Sequence, residues 1–300
     1  MNENKMRFDV FRGLGASILI TGFKKEYLER IALEFCAQSS LPSGKSEAGI
    51  HTFLSPNKTP DHRWGVVCSV WVQKNLDDGD ISLKLLVKCL LERISTSLFP
   101  KLGIRVFSWT PKPVDFYNNE KELGDFGDGY NKLEEKFDRK FLSIPMTGGD
   151  FWIERKIGIQ PGFLGAGLFL YFKTIKSAIK IESKISNFLY KFSNVVQIYG
   201  LIASGSKIGA KNINKKKVLI STNDAYCPSL KKQFGKESKV PKDVNSITEI
   251  VLNSFSINSL KTALNYLMRY LKKRKKILSF MPISYDEVKD LFDLVSLTLD

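Results

Sequence analysis

The chain of 300 residues carries 46 lysine and arginine residues against 31 aspartate and glutamate residues, which gives a formal net charge of +15. A hydrophobic fraction of 43% and an aromatic fraction of 12% are typical of folded globular proteins and exclude an intrinsically disordered chain. No segment reaches the roughly 18 uninterrupted apolar residues of a membrane span, and the first residues lack the apolar run of a secretory signal. We therefore expect a cytoplasmic protein with no membrane partner.

The first half of the chain alternates between strand-like and helix-like patterns. The apolar run at 16–23 predicts a strand, and Leu28, Ile31 and Phe35 recur at helical spacing directly after it. Further strands are predicted at 48–54, 65–72 and 104–109, with an amphipathic helix at 81–99. The predicted order is strand, helix, strand, strand, helix, strand.

The second half repeats this order. Strands are predicted at 166–172, 195–203, 247–255 and 276–283, with helices ending at 192 and spanning 258–273. The pattern predicts an α+β fold of two ferredoxin-like (split β-α-β) lobes in tandem, residues 1–145 and 146–300. Residues 110–145 are rich in charged and turn residues and too many for a simple hairpin, so we expect an inserted arm in the first lobe.

Cysteine and histidine usage argues against metal chemistry. The four cysteines are widely spaced, include no Cys-X-X-Cys pair, and are accompanied by only two histidines. We therefore predict no metal site and no disulfide, with Cys36 and Cys89 as small core residues on helices.

The positive charge is concentrated in lysine clusters at 215–217 and 272–276. Such a field attracts polyanions. Nucleic-acid binding would call for exposed aromatic residues among these lysines or for a known binding motif, and the sequence shows neither. A solvated helix end is the favoured interpretation of 272–276, and we predict no nucleic-acid partner.

Several segments carry a specific resemblance. They are "EAGI" at 47–50, "DFGDGY" at 125–130, "IASGSKIGAK" at 202–211, "STNDAYCP" at 221–228 and "EIVLN" at 249–253. Together they resemble the formylmethanofuran:tetrahydromethanopterin formyltransferase family, with the long "STNDAYCP" match as the most specific element. The resemblance spans nearly the whole chain.

The resemblance implies an acyltransferase of one-carbon metabolism. The formyl group of formylmethanofuran, or of a methylofuran-type carrier, would move to N5 of tetrahydromethanopterin. Both coenzymes would act as acidic cosubstrates, without a permanently bound cofactor, a metal or a covalent enzyme intermediate. The family also implies a subunit of two ferredoxin-like lobes in a homo-oligomer, either a dimer or a tetramer.

Transfer between two amines passes through a tetrahedral intermediate, so the site needs oxyanion donors and a group that handles protons. Glu249 is the predicted catalytic residue, because apolar neighbours in its strand would desolvate the carboxyl and raise its pKa. An outward-facing charge on a half-buried strand is the alternative. Glu47 is a second acidic candidate, with a surface residue at a strand start as its alternative.

Two loops supply the predicted coenzyme-binding residues. Asn223 and Asp224 are short polar side chains in a turn, which can present themselves and backbone N–H groups to a ligand. Without the resemblance, an ordinary Asx turn or helix cap is the preferred interpretation of the pair. Cys227 is interpreted as a packing residue rather than a nucleophile. Lys207 and Lys211 lie in a glycine-rich loop suited to an anion, and the loop lacks the Gly-Lys-Ser/Thr ending of a nucleotide-hydrolysing Walker loop.

The "DFGDGY" segment predicts a tight loop with Asp125 and Asp128 exposed and Tyr130 following. Its spacing does not match a calcium-binding loop. We expect it to shape the coenzyme site or a subunit contact.

Three departures from the family concern the expected ligand regions. Gly167 stands where the resemblance suggests asparagine, "LPSGKS" at 41–46 is shorter than expected, and the segment 277–300 lacks the expected glycine-rich ending. We expect an active formyltransferase, and these departures are the basis of a rival function, a catalytically degenerate subunit of a larger formyltransferase/hydrolase complex. Nucleic-acid binding rests on charge alone and is the weakest alternative.

Overall fold

The computed structural model describes residues 6–37, 46–74, 79–192, 194–203, 224–283 and 294–299. The chain divides into two compact units. Unit 1 contains the described residues up to Arg12 and from Phe163 onward, and unit 2 contains those from Gly13 to Gly162. The divisions fall inside two strands of 17 residues each, so both strands contribute to both units.

The elements up to the second long strand are β1 (Met6–Gly22), α1 (Lys25–Ala37), β2 (Glu47–Leu54), β3 (Trp64–Gln73), α2 (Gly79–Arg93), β4 (Arg105–Ser108), β5 (Asp115–Asn118), α3 (Glu120–Gly124), β6 (Lys132–Lys136), β7 (Arg139–Ile144), β8 (Phe151–Glu154) and β9 (Lys156–Phe172). The remaining elements are α4 (Ile175–Leu189), β10 (Val195–Ile202), α5 (Lys231–Phe234), β11 (Ser246–Ser254), α6 (Ile257–Lys272), β12 (Ile277–Pro282) and β13 (Leu294–Leu299). None of the helices in the described ranges is long and apolar enough to cross a membrane.

In unit 2 the strands follow the order β2-β3-β1-β4-β8-β7-β6, with antiparallel neighbours except for the parallel pair β4 and β8. Helix α1 covers one face because Leu28, Ile31 and Phe35 repeat on one side and are buried. The same core contains Leu86 and Leu90 of α2. The opposite face carries a second apolar cluster, whose largest members are Phe107, Phe141 and Trp152.

In unit 1 the strands follow the order β10-β11-β9-β12, all antiparallel. Helices α4 and α6 bury their apolar faces on one side of this sheet. Each helix begins at a hydroxyl cap, because Thr174 accepts a hydrogen bond from the Ser177 N–H and Ser256 accepts one from the Ser259 N–H.

The helices and the main strands agree with the sequence predictions within a few residues, with three exceptions. The strands predicted at 16–23 and 166–172 begin ten residues earlier, at Met6 and Lys156. Their first halves are stabilised by pairing with β13 and β5, and local periodicity does not reveal these partners. The helix predicted at 81–99 ends at Arg93 and continues as a π-helical turn at Ile94–Leu98.

Candidate active site

One face of the unit 1 sheet carries buried polar groups. In β11, Ile250 and Leu252 belong to the core beneath α4 and α6, so strand alternation places Glu249, Val251 and Asn253 on the opposite face. Glu249 is only 8% exposed, and Asn253 is fully buried. Glu249 is therefore a buried carboxyl and not an outward-facing surface charge.

Apolar residues frame Glu249 in the sheet. It lies opposite Phe169 of β9 and opposite Ile202 of β10. The next residue on the same face, Val251, lies opposite Gly167. A carboxyl in such surroundings interacts more strongly with a proton or a neighbouring dipole than a carboxyl in water does.

The Asn253 side chain forms a hydrogen bond to the backbone on the same face. Its Oδ1 accepts a hydrogen bond of 2.8 Å from the Gly165 N–H. The pairing of β9 with β11 shifts register here, and Gly165 has a φ of +80°, which requires glycine. Sequence reasoning gave Asn253 no role. The sequence signal that could have identified Asn253 is its position four residues after Glu249, because this spacing puts both side chains on one face of a strand.

The turn that follows the "STN" residues lies over this face. Asp224–Tyr226 form a 3₁₀ turn, closed by a hydrogen bond of 2.9 Å from the Cys227 N–H to the Asp224 carbonyl. The Tyr226 ring lies 5.0 Å from the ring of Phe169, the residue opposite Glu249. Lys239 Nζ lies 5.2 Å from the centre of the Tyr226 ring. Asp224 and Cys227 are both half-buried.

Tyr171 extends the aromatic surface along β9. Its hydroxyl lies 2.6 Å from the Met281 Sδ of β12. Burial raises the pKa of Tyr171 above its ordinary value, and the neighbouring Tyr226 raises it further. The hydroxyl is therefore neutral at physiological pH and can act only as a neutral hydrogen-bonding group.

Two of the departures from the family meet on this face. A Cβ built on Gly167 would lie 2.7 Å from Ile283 Cδ1, so the Ile283 side chain fills the space that a larger residue at 167 would need. The Ile283 N–H also donates to the Gly167 carbonyl at 2.9 Å. Ile283 therefore packs against Gly167, and these are two of the positions at which a departure from the family is predicted.

The other predicted site residues divide between two groups. Lys207, Lys211 and Asn223 lie outside the described residues. Four others lie in unit 2, namely Glu47, Asp125, Asp128 and Tyr130. Glu47 begins β2 opposite Trp71, on the sheet face away from α1 and α2, and is half-buried.

The "DFGDGY" segment forms the predicted tight loop. Asp125–Gly127 make a 3₁₀ turn, and Asp128 adopts left-handed backbone with a φ of +49°. Asp125, Asp128 and Tyr130 are all exposed. Phe126 packs 5.0 Å from Phe99 and lines a groove of about 420 Å³ along α2. Glu47 and this loop therefore lie on opposite sides of the unit 2 sheet.

Unit 2 also contains a charged cluster that sequence reasoning missed. The Oδ2 atom of Asp61 accepts a hydrogen bond of 2.7 Å from the Thr21 hydroxyl and one of 3.3 Å from Arg105. Arg63 Nε lies 3.7 Å from the same oxygen. Burial, and then the charge of Arg105, lowers the pKa of Arg63, whereas Asp61 opposes this shift. Asp61 and Arg63 lie in the segment "TPDHRWGV" at 59–66, which shares in the family resemblance and contains charges of both signs.

The chemistry available in unit 1 is that of a buried carboxyl beside aromatic rings. No group of three histidine, cysteine or acidic side chains in the described ranges is arranged to hold a metal ion. Glu249 is a buried ionisable side chain on this face, and the hydrogen bond between Asn253 and Gly165 fixes the adjacent backbone. Such an arrangement suits proton transfer to or from a bound substrate.

Comparison with known proteins covers nearly all of the chain. Residues 7–146 match the family model described as formylmethanofuran-tetrahydromethanopterin formyltransferase, and residues 149–286 match the model described as FTR, proximal lobe. The chain is 32% identical to the formylmethanofuran–tetrahydromethanopterin formyltransferase of Methanocaldococcus jannaschii, over 82% of this chain and 80% of that protein. It is 31% identical to a formyltransferase-like protein of Archaeoglobus fulgidus, over 88% and 85% of the respective chains.

The fold has a close counterpart among solved structures. The formylmethanofuran:tetrahydromethanopterin formyltransferase of Methanosarcina barkeri matches with a TM-score of 0.83 and 27% identity, over 94% of this chain and 92% of that one. The formyltransferase/hydrolase complex of Methylorubrum extorquens, solved with methylofuran, contains a chain that matches with a TM-score of 0.80 and 20% identity, over 97% and 96%. The second likeness shows the fold alone.

Proposed function

Because the chain belongs to the formylmethanofuran–tetrahydromethanopterin formyltransferase family, we propose that it transfers a formyl group from formylmethanofuran to N5 of tetrahydromethanopterin. A methylofuran-type carrier is the alternative donor. The observation that carries the proposal is the buried carboxyl of Glu249 on the face of the unit 1 sheet opposite to α4 and α6. Both coenzymes act as cosubstrates, and no permanently bound cofactor is required.

Glu249 handles the proton in this reaction. Attack of the acceptor amine on the formyl carbon produces a tetrahedral intermediate in which the attacking nitrogen must lose a proton and the departing nitrogen must gain one. A carboxyl can do both, because it accepts a proton as a carboxylate and donates one as an acid. Coenzyme binding is assigned to Glu47, Asp125, Asp128, Tyr130, Lys207, Lys211, Asn223 and Asp224.

The finer architecture belongs to the same proposal. Both lobes are ferredoxin-like, a classification supported by the strand orders β2-β3-β1-β4 and β10-β11-β9-β12 with two helices on one face of each sheet. The lobes comprise residues 1–145, with an arm at about 110–145, and residues 146–300. We assign the protein to the cytoplasm as a homo-oligomer, either a dimer or a tetramer, without a membrane or nucleic-acid partner.

The test is formyl transfer by the purified protein, run beside the Glu249→Gln variant. We expect turnover by the wild type and a loss of about a hundredfold or more in kcat for the variant, the range of acid–base catalysis. Glu237→Gln is the matched control, because Glu237 is an exposed carboxyl in the same unit and its loss leaves the reaction unaffected. Equal rates for the wild type and Glu249→Gln would remove Glu249 from the mechanism.

A catalytically degenerate subunit of a larger formyltransferase/hydrolase complex is the second candidate. The contact between Gly167 and Ile283 favours it, because it rebuilds the sheet face that carries Glu249. Calorimetry with each coenzyme separates the two functions. Binding without formyl transfer supports the degenerate subunit, and binding with transfer excludes it.

The excess of lysine also fits the acidic cosubstrates. A carboxyl-rich carrier is attracted by a chain of net charge +15, and exposed charges are screened beyond about 8 Å at physiological ionic strength. We therefore expect the Michaelis constant for the carrier to rise with salt. A constant value between low and high salt would contradict this role.

A further inference from the structure

The outer surface of the helical layer in unit 1 is almost entirely basic. Five lysines occur at 173–192, and seven lysines or arginines occur at 256–276, whereas Glu182 is the one acidic residue in these two segments. The proposed chemistry on the opposite face of the sheet uses none of them. We call this surface the basic helical face.

Helical geometry gathers these charges. Lys176, Lys180 and Lys184 follow one another at intervals of four residues along α4, which places them in one stripe. All three are exposed, as are Lys272 and Lys273 at the end of α6. Within the part of the chain that the structure describes, none of the basic side chains of these segments forms an ion pair with a carboxylate.

Aromatic side chains join the two helices beneath these charges. The rings of Phe188 and Tyr270 stack at 4.2 Å, and those of Phe192 and Tyr266 lie 5.9 Å apart. The Tyr270 hydroxyl donates to the Lys184 carbonyl at 3.2 Å. The stripe on α4 and the basic end of α6 are therefore held in a fixed relation within unit 1.

The same surface exposes apolar side chains. On α4, Ile175 is 64% exposed and Ile179 is 69% exposed, one turn apart and next to the lysine stripe. On α6, Tyr266 is 53% exposed. The like charges on this surface repel one another, and its apolar side chains are exposed to water. A partner with both carboxylates and apolar side chains would reduce both unfavourable contributions to the free energy.

The ring arrangement argues against nucleic acid as the partner. Bases bind single-strand proteins by stacking on open aromatic faces. Tyr270 is covered, because Phe188 stacks on it at 4.2 Å and the Arg274 guanidinium lies 3.9 Å from its centre, and the exposed ring of Tyr266 by itself does not form a row of stacking faces. Lysine supplies most of the charge here. Its ammonium group acts as a point charge, so it can bind a carboxylate without the planar, two-oxygen geometry that suits arginine.

We infer that the basic helical face is a docking surface for an acidic protein segment that presents apolar side chains among its carboxylates. The lysine stripe contacts the carboxylates, and Ile175 and Ile179 receive the apolar side chains. Charge complementarity identifies this occupant, and the inference does not depend on the formyl-transfer reaction.

The test measures binding of labelled polypeptides by fluorescence anisotropy at low salt. Two probes are used, poly-L-glutamate and a glutamate–tyrosine copolymer. We expect the copolymer to bind more tightly, because it adds apolar side chains to the same charge. Lys176→Glu/Lys180→Glu/Lys184→Glu should weaken binding of both probes by about tenfold or more, since exposed pairs contribute modestly and three charges are reversed.

A matched control separates the surface from net charge. Lys112→Glu/Lys132→Glu/Lys140→Glu makes the same change of charge at exposed positions in unit 2 and should weaken binding less than about threefold. Ile175→Ser/Ile179→Ser should abolish the preference for the copolymer and leave poly-L-glutamate binding unchanged. Equal losses in the two triple variants would overturn the inference.

Two further arms identify other occupants. If a single-stranded poly(dT) oligonucleotide binds more tightly than the copolymer and loses that affinity in the α4 triple variant, the surface is a nucleic-acid site and the inference is wrong. If the α4 variant raises the Michaelis constant for the formyl carrier by the same factor as it weakens copolymer binding, the surface serves the substrate and not a protein. An unchanged Michaelis constant supports the inference.

Discussion

Strands β11 of unit 1 and β3 of unit 2 have the same place in their sheets, yet the faces that they turn away from the helices differ in polarity. Each is an inner strand, paired with the long first strand of its lobe on one side. On the face away from the helices, β11 carries Glu249 and Asn253. On the corresponding face, β3 carries Val67, Ser69 and Trp71.

The long strands give the correspondence residue by residue. "GASIL" at 15–19 aligns with "GAGLF" at 165–169, so Leu19 corresponds to Phe169. Leu19 lies opposite Val67, and Phe169 lies opposite Glu249. Val67 is fully buried in the apolar cluster of Phe107, Phe141 and Trp152, whereas Glu249 places a carboxyl at the equivalent position.

Each unit therefore contains a buried carboxyl, Asp61 in unit 2 and Glu249 in unit 1. Burying a carboxylate costs free energy of folding unless cations or donors compensate it. Unit 2 contains such a case in Asp61, which has two arginines beside it. Glu249 is also buried, with Phe169 and Ile202 as its cross-strand neighbours, at a position where unit 2 has the apolar residue Val67.

The largest expected effect comes from moving the carboxyl to the equivalent position in unit 2. Val67→Glu should lower the free energy of unfolding at pH 7 by about 3–5 kcal/mol, because the fully buried site removes the carboxyl from water and is too small for the longer side chain. Urea unfolding measures this loss, which should shrink at acid pH as the carboxyl is protonated. Val67→Thr, which has the same shape, should cost about 1–3 kcal/mol. Equal stabilities for Val67→Glu and Val67→Thr would refute the contrast between the two faces.

The second prediction concerns the compensated carboxyl. Asp61→Ala should lower the free energy of unfolding by about 2–4 kcal/mol, because it leaves Arg105 and Arg63 half-buried without their shared acceptor. Asp150→Ala is the control, since Asp150 is exposed and its loss should stay within about 0.5 kcal/mol. A loss at Asp61 no larger than at Asp150 would show that the cluster is not structural.

The third prediction tests the packing of Ile283 against Gly167 on the face that carries Glu249. Gly167→Ala should lower the free energy of unfolding by about 1–3 kcal/mol, because the new Cβ meets Ile283 at 2.7 Å. Adding Ile283→Ala should recover part of this loss. A double-mutant cycle by urea unfolding should give a coupling of about 1 kcal/mol or more. Additive losses would mean that Ile283 yields without strain.

Periodicity predicted the helices and most strands because each of them buries one face, as Leu28, Ile31 and Phe35 do in α1. It failed for the first halves of β1 and β9. There the strands exist through pairing with β13 and β5, and one of them contains Pro161 and three glycines that disfavour strand on local grounds. Long-range pairing leaves no local signal.

The site was predictable only in part for the same reason. The burial of Glu249 was predictable because its own strand showed that its neighbours are apolar. Asn253, by contrast, acts through a backbone group 88 residues away, at Gly165. Asp61 likewise depends on Thr21 and Arg105, which a segment-by-segment analysis treats as unrelated residues.

The smallest expected effect concerns Tyr171, which lies on the face of the unit 1 sheet that carries Glu249. Burial and Tyr226 raise the pKa of Tyr171, so above about pH 10 the unfolded chain loses this proton while the folded chain retains it. Stability contributed by neutral Tyr171 is therefore present below this pH and is lost as the pH rises further. Tyr171→Phe should reduce the fall of stability by up to about 1.4 kcal/mol per pH unit between pH 10 and 11.

The control for this prediction is a tyrosine in the other unit. Tyr130 is 74% exposed, so Tyr130→Phe should leave the alkaline slope of the unfolding free energy unchanged. The measurement is urea unfolding at a series of pH values, with tyrosine ionisation followed by absorbance. If Tyr171→Phe and Tyr130→Phe give the same slope as the wild type, Tyr171 is not shielded. The face beside Glu249 would then be open to water, which would also weaken the case for Glu249 as the residue that handles the proton.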